Sequence, residues 1–213
     1  MSKKRNARRR TRNLLLIVSM MLVVAMASVG GTLAWLTASS GTVTNTFSVG
    51  DINLELKEHD YVNGALDTSK TVTSESDYKI VPGVDLPKDP FVTVLPESEA
   101  CWLFVKVDET NKLSGMTWNI DDGATTNMAS GITSVAWTKL SEGVYYTEVS
   151  AANAKTGISY NILADCTVDV SDAITKTDLA NYKTNKPTLS FTAYAVQKEG
   201  VADAATAWAK VAP

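Results

Sequence analysis

One histidine is the only imidazole that this 213-residue chain offers for catalysis or metal binding. His59 lies in the stretch KEHD, between Glu58 and Asp60. A zinc hydrolase needs two or three His or Cys ligands together with a carboxylate base, and the chain has no H-E-x-x-H motif. The sequence therefore predicts that His59 is a solvated strand or turn residue, and it disfavours a metallopeptidase.

Other patterns typical of enzymes are also missing from the sequence. There is no G-x-S-x-G motif, and no glycine-rich phosphate loop follows an apolar strand pattern. The stretches DDG at Asp121 and DVSD at Asp169 resemble calcium-binding loops, but neither has the full acidic spacing with a closing glutamate. We therefore expect acidic turns, with weak calcium binding as the alternative, and a protein that is not an enzyme and carries no cofactor.

The two cysteines, Cys101 and Cys166, each fall within an apolar strand pattern. An oxidising compartment would permit a disulfide between them, whereas two buried free thiols would act as small core residues. The sequence leaves both alternatives open, because it does not give the distance between the two Cα atoms. The absence of a C-x-x-C motif disfavours a redox enzyme.

Charge is segregated along the chain. All five arginines lie within the first 12 residues, and all 23 acidic residues lie after Gly50. The remainder of the chain carries 13 lysines against those 23 acidic residues. A phosphate-binding surface needs clustered Lys and Arg, so the sequence excludes nucleic acid as a partner of the folded part.

The basic start is followed by the apolar run LLLIVSMMLVVAMA from Leu14 to Ala27, and then by small residues. This order is typical of a secretory signal peptide. A cut after Ala34, with Thr32 and Ala34 at the small positions, would make Trp35 the first mature residue. The alternatives are a cut after Ala27 and an uncleaved membrane anchor. We predict a signal peptide at 1–34 and contact with the membrane only before cleavage.

Short stretches of alternating apolar and polar residues recur after Ala34, separated by Gly- and Asp-rich turns. They predict an all-β fold for residues 46–213, an antiparallel, jelly-roll-like β-sandwich with one or two short helices. The helices are expected at 171–182 and 201–211, with Trp208 anchoring the second. The polar stretch 63–77 is expected to be an exposed loop. The strongest strand, ACWLFVKVDE, has two predicted faces: Cys101, Leu103, Val105 and Val107 on one, and Trp102, Phe104, Lys106 and Asp108 on the other.

Five stretches of this chain, in this order, resemble the TasA/camelysin family of secreted bacterial proteins. They are GGTLAWLT, FSVGDINLEL, KIVPGVDLPKDPFVTV, ACWLFVKVDE and FTAYAVQKEG. The resemblance implies a jelly-roll-like sandwich and a signal peptide that an ER-type, SipW-dependent signal peptidase cuts after Ala34. It also implies a role as a biofilm-matrix fibre subunit or a cell-surface protein.

Two functions follow from these patterns. The first is a secreted structural subunit that self-associates into filaments, with a matrix protein or polysaccharide as a further partner. Residues 35–45 form an extended, Thr-rich segment that could add as a strand to another copy, with Leu36, Val43 and Phe47 setting the register. The alternative is a surface binding module for a glycan or host protein. Its aromatic candidates, which are otherwise expected in the core, are Trp118, Trp137, Tyr145, Tyr146, Tyr160 and Phe191.

Overall fold

The structure, a computed structural model, describes residues 51–73, 78–111 and 114–213. The chain divides into two units, Met1–Ser48 and Val49–Pro213, and the described residues belong to the second unit. The predictions of a signal peptide and of an extended segment at 35–45 therefore lie outside the described residues. The same holds for the residues assigned to cleavage and self-assembly, which are Thr32, Ala34, Trp35, Leu36, Val43 and Phe47.

Strands make up most of the regular structure, 46% against 15% helix, which confirms the predicted all-β sandwich. The strands are β1 (Leu54–Val62), β2 (Ala65–Val72), β3 (Leu86–Pro87), β4 (Phe91–Val94), β5 (Cys101–Thr110), β6 (Met116–Thr117), β7 (Ile132–Thr133), β8 (Thr138–Ser141), β9 (Val144–Val149), β10 (Ile158–Asn161), β11 (Thr167–Val170) and β12 (Thr188–Gln197). The helices are α1 (Ala151–Thr156), α2 (Lys176–Thr184) and α3 (Ala204–Val211).

The strands form a five-stranded sheet, a four-stranded sheet and a small three-stranded sheet. Their orders are β2-β1-β4-β10-β7, β12-β5-β9-β8 and β3-β11-β6. All pairings are antiparallel except that of β10 with β7. The core lies between the two larger sheets, where Val92 and Val94 of β4 share one buried cluster with Leu103 and Val105 of β5.

Strand β5 is buried on both of its faces, which confirms the predicted division of its side chains. The even-numbered Trp102 and Phe104 belong to a separate cluster with α3. In that cluster the ring of Trp208 lies 5.3 Å from the rings of both Phe104 and Tyr194. The C-terminal helix therefore covers the outer face of the four-stranded sheet, and Trp208 is its anchor.

Helix α1 is one helix more than the sequence predicts. It lies in the connection between β9 and β10. The side chain of Ser150 caps the helix by accepting a hydrogen bond from the N–H of Asn153 at 3.2 Å. Ala154 is fully buried in the main core, so tertiary packing stabilises a helix that is too short to form alone.

The prediction of an exposed loop over 63–77 is wrong for its first part. Residues Ala65–Val72 form β2, which pairs with β1 through a tight turn at Asn63 and Gly64, both with positive φ (55° and 94°). An Asn-Gly turn of this kind matches the twist of a hairpin. Strand β2 is mostly exposed at the sheet edge, so it needs backbone pairing but no apolar face.

Within the described residues, none of the helices combines the length and the apolar character that crossing a membrane requires.

Candidate functional site

Strand β12 has an open edge. It pairs with β5 over ten consecutive residues, from Thr188 opposite Thr110 to Gln197 opposite Cys101, without a bulge. It stands first in its sheet, and none of the described residues pairs with its other side. A row of main-chain N–H and C=O groups therefore faces outward along this strand.

The register shows which groups face outward. The N–H of Lys198 donates to the carbonyl of Ala100 at 2.8 Å, which makes these two residues a hydrogen-bonded pair. Hydrogen-bonded and non-hydrogen-bonded pairs alternate along antiparallel strands. The even-numbered residues of β12 therefore bond to β5, whereas the backbone groups of the odd-numbered residues point to the open edge. The outward-facing set is Leu189, Phe191, Ala193, Ala195 and Gln197.

The residue types of β12 do not protect this edge. Natural sheets block exposed edges with charges, prolines, bulges or short strands. Strand β8 is four residues long and carries Lys139, and β2 carries Asp67 and Lys70. By contrast, β12 is ten residues long and reads TLSFTAYAVQ, without a charged residue or a proline. It is the long and uncharged edge of this sandwich.

A cavity of about 800 Å³ opens beside the first half of β12. Its walls come from β1, β11, β12, helix α2 and the segment before β3. Most of the lining side chains are apolar, among them Leu56, Ile80, Leu86, Val168, Leu179 and Phe191. Its volume and lining are those of a typical small-molecule pocket.

The lining also carries polar residues, and three of them, Glu58, Tyr78 and Lys88, contact one another. Lys88 Nζ lies 2.6 Å from Glu58 Oε2, and each of the two side chains is only 13% exposed. The same Nζ lies 5.0 Å from the centre of the Tyr78 ring and 5.9 Å from that of Phe191, which is a cation–π arrangement. The Tyr78 hydroxyl is buried and has no hydrogen-bond partner among the residues that the structure describes. Burial, reinforced by the Glu58 carboxylate, raises the pKa of Tyr78, so its hydroxyl remains a donor.

His59 is buried, so the prediction of a solvated residue is wrong. Its side chain is 7% exposed, and Nδ1 lies 2.6 Å from Oδ2 of Asp89. The other oxygen of Asp89 accepts the backbone N–H of His59 at 3.1 Å, and the ring lies 5.4 Å from that of Phe91. The partner comes from a segment 30 residues away, which the local KEHD pattern cannot reveal.

The two acidic stretches have different surroundings. Asp121 is fully buried, and its carboxylate accepts hydrogen bonds from the N–H of Gly123 and from the side chains of Thr125, Ser134 and Asn161. Asp169 lies in strand β11, where an acidic turn was expected. Across residues 51–73, 78–111 and 114–213, no group of three or more His, Cys, Asp or Glu side chains is placed to hold a metal ion.

The cysteines are free, buried thiols, which is the second of the two alternatives. Cys101 lies in the main core, and the thiol of Cys166 donates to Oδ1 of Asn161 at 3.6 Å. Burial raises the pKa of each thiol to about 12. Both residues therefore behave as small core side chains rather than as nucleophiles.

The six aromatic residues considered for a binding surface do not form one platform. Trp137 is buried and donates from Nε1 to the carbonyl of Asn161 at 2.7 Å, and Tyr160 is buried in the same core. Tyr145 packs against that core, whereas Tyr146 belongs to the cluster under α3. Only Trp118 and Phe191 line the cavity.

Sequence reasoning missed Glu58, Tyr78 and Lys88 as site residues, because nothing in their local patterns brings them together. Comparison with models of protein families, with characterised proteins and with solved structures finds no match to this chain.

Proposed function

We propose that this chain is a secreted structural protein, a fibre or cell-surface subunit that assembles by strand addition. The observation that supports the proposal is the open edge of β12, ten residues long and without charge or proline. Exposed edges of this kind act as templates for pairing with another chain. A structural subunit uses such an edge, whereas a protein that must remain monomeric has to block it.

The extended segment 35–45 is the proposed added strand. It is rich in Thr and contains Val43, and β-branched residues favour strands. Main-chain hydrogen bonds to the odd-numbered residues of β12 would supply affinity, and Leu36, Val43 and Phe47 would set the register. Addition to a neighbouring copy is head-to-tail, and a head-to-tail contact that does not close into a ring builds a filament.

Cleavage after Ala34 would couple export to assembly. Before the cut, the apolar run from Leu14 holds the segment at the membrane. After the cut, Trp35 becomes a free chain end that can reach another copy. N-terminal sequencing of the exported protein tests this step, and we expect Trp35 as the first residue. Ser28 would place the cut after Ala27, and an intact Met1 would indicate a membrane anchor.

Negative-stain microscopy of two variants tests the strand addition itself. Deleting residues 35–45 removes the added strand. Replacing Ala193 with Pro removes one outward-facing N–H of β12 without removing a bond to β5, because proline is tolerated on the free side of an edge strand. The matched control is Ala151→Pro, which places proline at the first residue of α1, where helices accept it.

We expect filaments from the native protein and from Ala151→Pro, and folded monomers from both test variants. Circular dichroism verifies that the monomers retain their strand content. Filaments from the deletion variant would reject segment 35–45 as the added strand. Persistent monomers of the native protein would reject the structural function.

A further inference from the structure

We propose that the cavity beside β12 binds an uncharged amphiphile, a molecule with an apolar body and one carbonyl or hydroxyl group. This is a small-molecule site that goes beyond the structural function. The occupant follows from the apolar walls of the cavity, from the Lys88–Glu58 ion pair within it and from the state of the Tyr78 hydroxyl.

The walls select an apolar body. Leu56, Leu86 and Val168 come from three different strands, and Leu179 comes from α2, so the surface is assembled from several elements. Removing apolar ligand surface from water against such walls favours binding. The volume of about 800 Å³ lies within the range of cavities that enclose most of a small ligand.

The ion pair selects against a charged headgroup. Lys88 and Glu58 lie 2.6 Å apart and are each only 13% exposed, so these two charges compensate each other inside the cavity. The lining also contains Lys57, Lys79, Glu109 and Lys186, of which Lys57 is paired with Glu55 and the other three are exposed, where water and salt screen their charges. Glu58 would repel an anion that approached Lys88, and Lys88 would repel a cation that approached Glu58. A charged headgroup would thus lose its hydration without gaining a net opposite charge. An uncharged acceptor avoids this cost and can use the ammonium protons of Lys88 that Glu58 does not occupy.

Tyr78 supplies the second argument for an acceptor. Its hydroxyl is buried and finds no partner within residues 51–73, 78–111 and 114–213, although buried hydroxyl groups normally form hydrogen bonds. An unsatisfied buried polar group destabilises a protein, so a ligand carbonyl or hydroxyl that accepts a hydrogen bond from Tyr78 removes this cost. Tyr78 lines the same cavity as Lys88, whose ammonium lies over its ring at 5.0 Å.

Displacement of the fluorescent probe N-phenyl-1-naphthylamine tests this assignment. The full-length sequence is expressed, and the protein is purified with whichever N-terminus it has after export. The purified protein is dispersed to monomers before the assay, so that filament formation does not affect probe binding. Decanamide, decanoate and decylammonium compete for the probe at pH 7. They share a chain length and differ in the headgroup. We expect decanamide to displace the probe at a concentration at least tenfold lower than either ion.

Two variants locate the binding. Tyr78→Phe removes the hydroxyl alone. We expect this variant to bind decanamide with an affinity roughly three- to tenfold lower, the range for one hydrogen bond. Its matched control is Tyr194→Phe, on the opposite face of the sheet against Trp208, which should leave the affinity unchanged. Leu179→Trp narrows the cavity from α2 and should abolish saturable probe binding while circular dichroism remains native.

Three results would overturn the assignment. The first is probe binding that does not saturate, or that Leu179→Trp leaves intact. The second is displacement by decanoate or decylammonium at a concentration equal to or lower than that of decanamide. The third is displacement by a synthetic peptide of residues 35–45 without displacement by decanamide, which would assign the cavity to the chain's own segment.

Discussion

Replacing Asp121 with Ala is the sharpest test of what holds the sandwich together. The Asp121 side chain is fully buried and joins three separate parts of the chain. Its Oδ1 accepts from the N–H of Gly123 at 3.0 Å, from Thr125 Oγ1 at 2.9 Å and from Ser134 Oγ at 2.8 Å. Its Oδ2 accepts from Asn161 Nδ2 at 3.1 Å.

The magnitude follows from the donors that the substitution would leave unsatisfied. Two of the four donors, Thr125 and Asn161, belong to buried residues, and a buried donor that is left unsatisfied costs about 1–3 kcal/mol. Asn161 retains a second bond from Nδ2 to the carbonyl of Leu163 at 2.6 Å, and the hydroxyl groups can turn, so the four losses do not add fully. We expect Asp121→Ala to lower the free energy of unfolding by roughly 3–5 kcal/mol, the range of the largest single-residue effects.

The matched control is the neighbouring residue. Asp122 is exposed, and its carboxylate accepts one local hydrogen bond, from the N–H of Ala124 at 3.0 Å. Asp122→Ala should therefore cost no more than about 1 kcal/mol. Urea unfolding followed by tryptophan fluorescence measures both variants. Equal midpoints and slopes for the two variants would refute the argument that the Asp121 network organises this part of the fold.

Three further predictions use other parts of the structure. His59→Ala should lower the free energy of unfolding by roughly 2–4 kcal/mol, because Asp89 would remain buried without its partner. A decrease of less than about 0.5 kcal/mol, measured by urea unfolding, would contradict this prediction. Gly143→Ala should destabilise clearly more than Gly131→Ala: both glycines have positive φ, but only at Gly143 would a Cβ lie 2.7 Å from the Val107 carbonyl oxygen. The two cysteine thiols, whose pKa burial raises to about 12, should resist a disulfide reagent at pH 9 in the folded protein and react once urea unfolds it; rapid labelling of the native protein would refute their burial. Unfolded thiols ionise near pH 9 whereas folded ones do not, so their contribution to stability should be complete below pH 9 and should decline as the pH rises towards 12.

The fold class could be predicted from the sequence because it depends on local periodicity. Alternation with period two determines which side chains share a face of a strand, and β5 follows it from Cys101 to Val107. The C-terminal helix and its anchor Trp208 could also be predicted, since a helical stripe is a local pattern. Strand β2 could not be predicted from the sequence. A strand at a sheet edge needs no apolar face, so β2 lacks the alternating pattern that indicates a strand.

Local sequence patterns were enough to predict the class of the fold, the two faces of β5 and the segregation of charge along the chain. The pairing of His59 with Asp89, the pairing of Glu58 with Lys88 within a cavity, and the position of β12 at a sheet edge depend on contacts between distant parts of the chain. The uncharged run TLSFTAYAVQ is visible in the sequence, but a central strand and an edge strand can carry the same residues. Which of the two it is depends on strand order, and strand order results from pairing between residues that are far apart in the chain. The burial of a polar side chain also depends on distant parts of the chain. Its hydrogen-bond partner and the residues that shield it from water come from elements that no local sequence pattern connects.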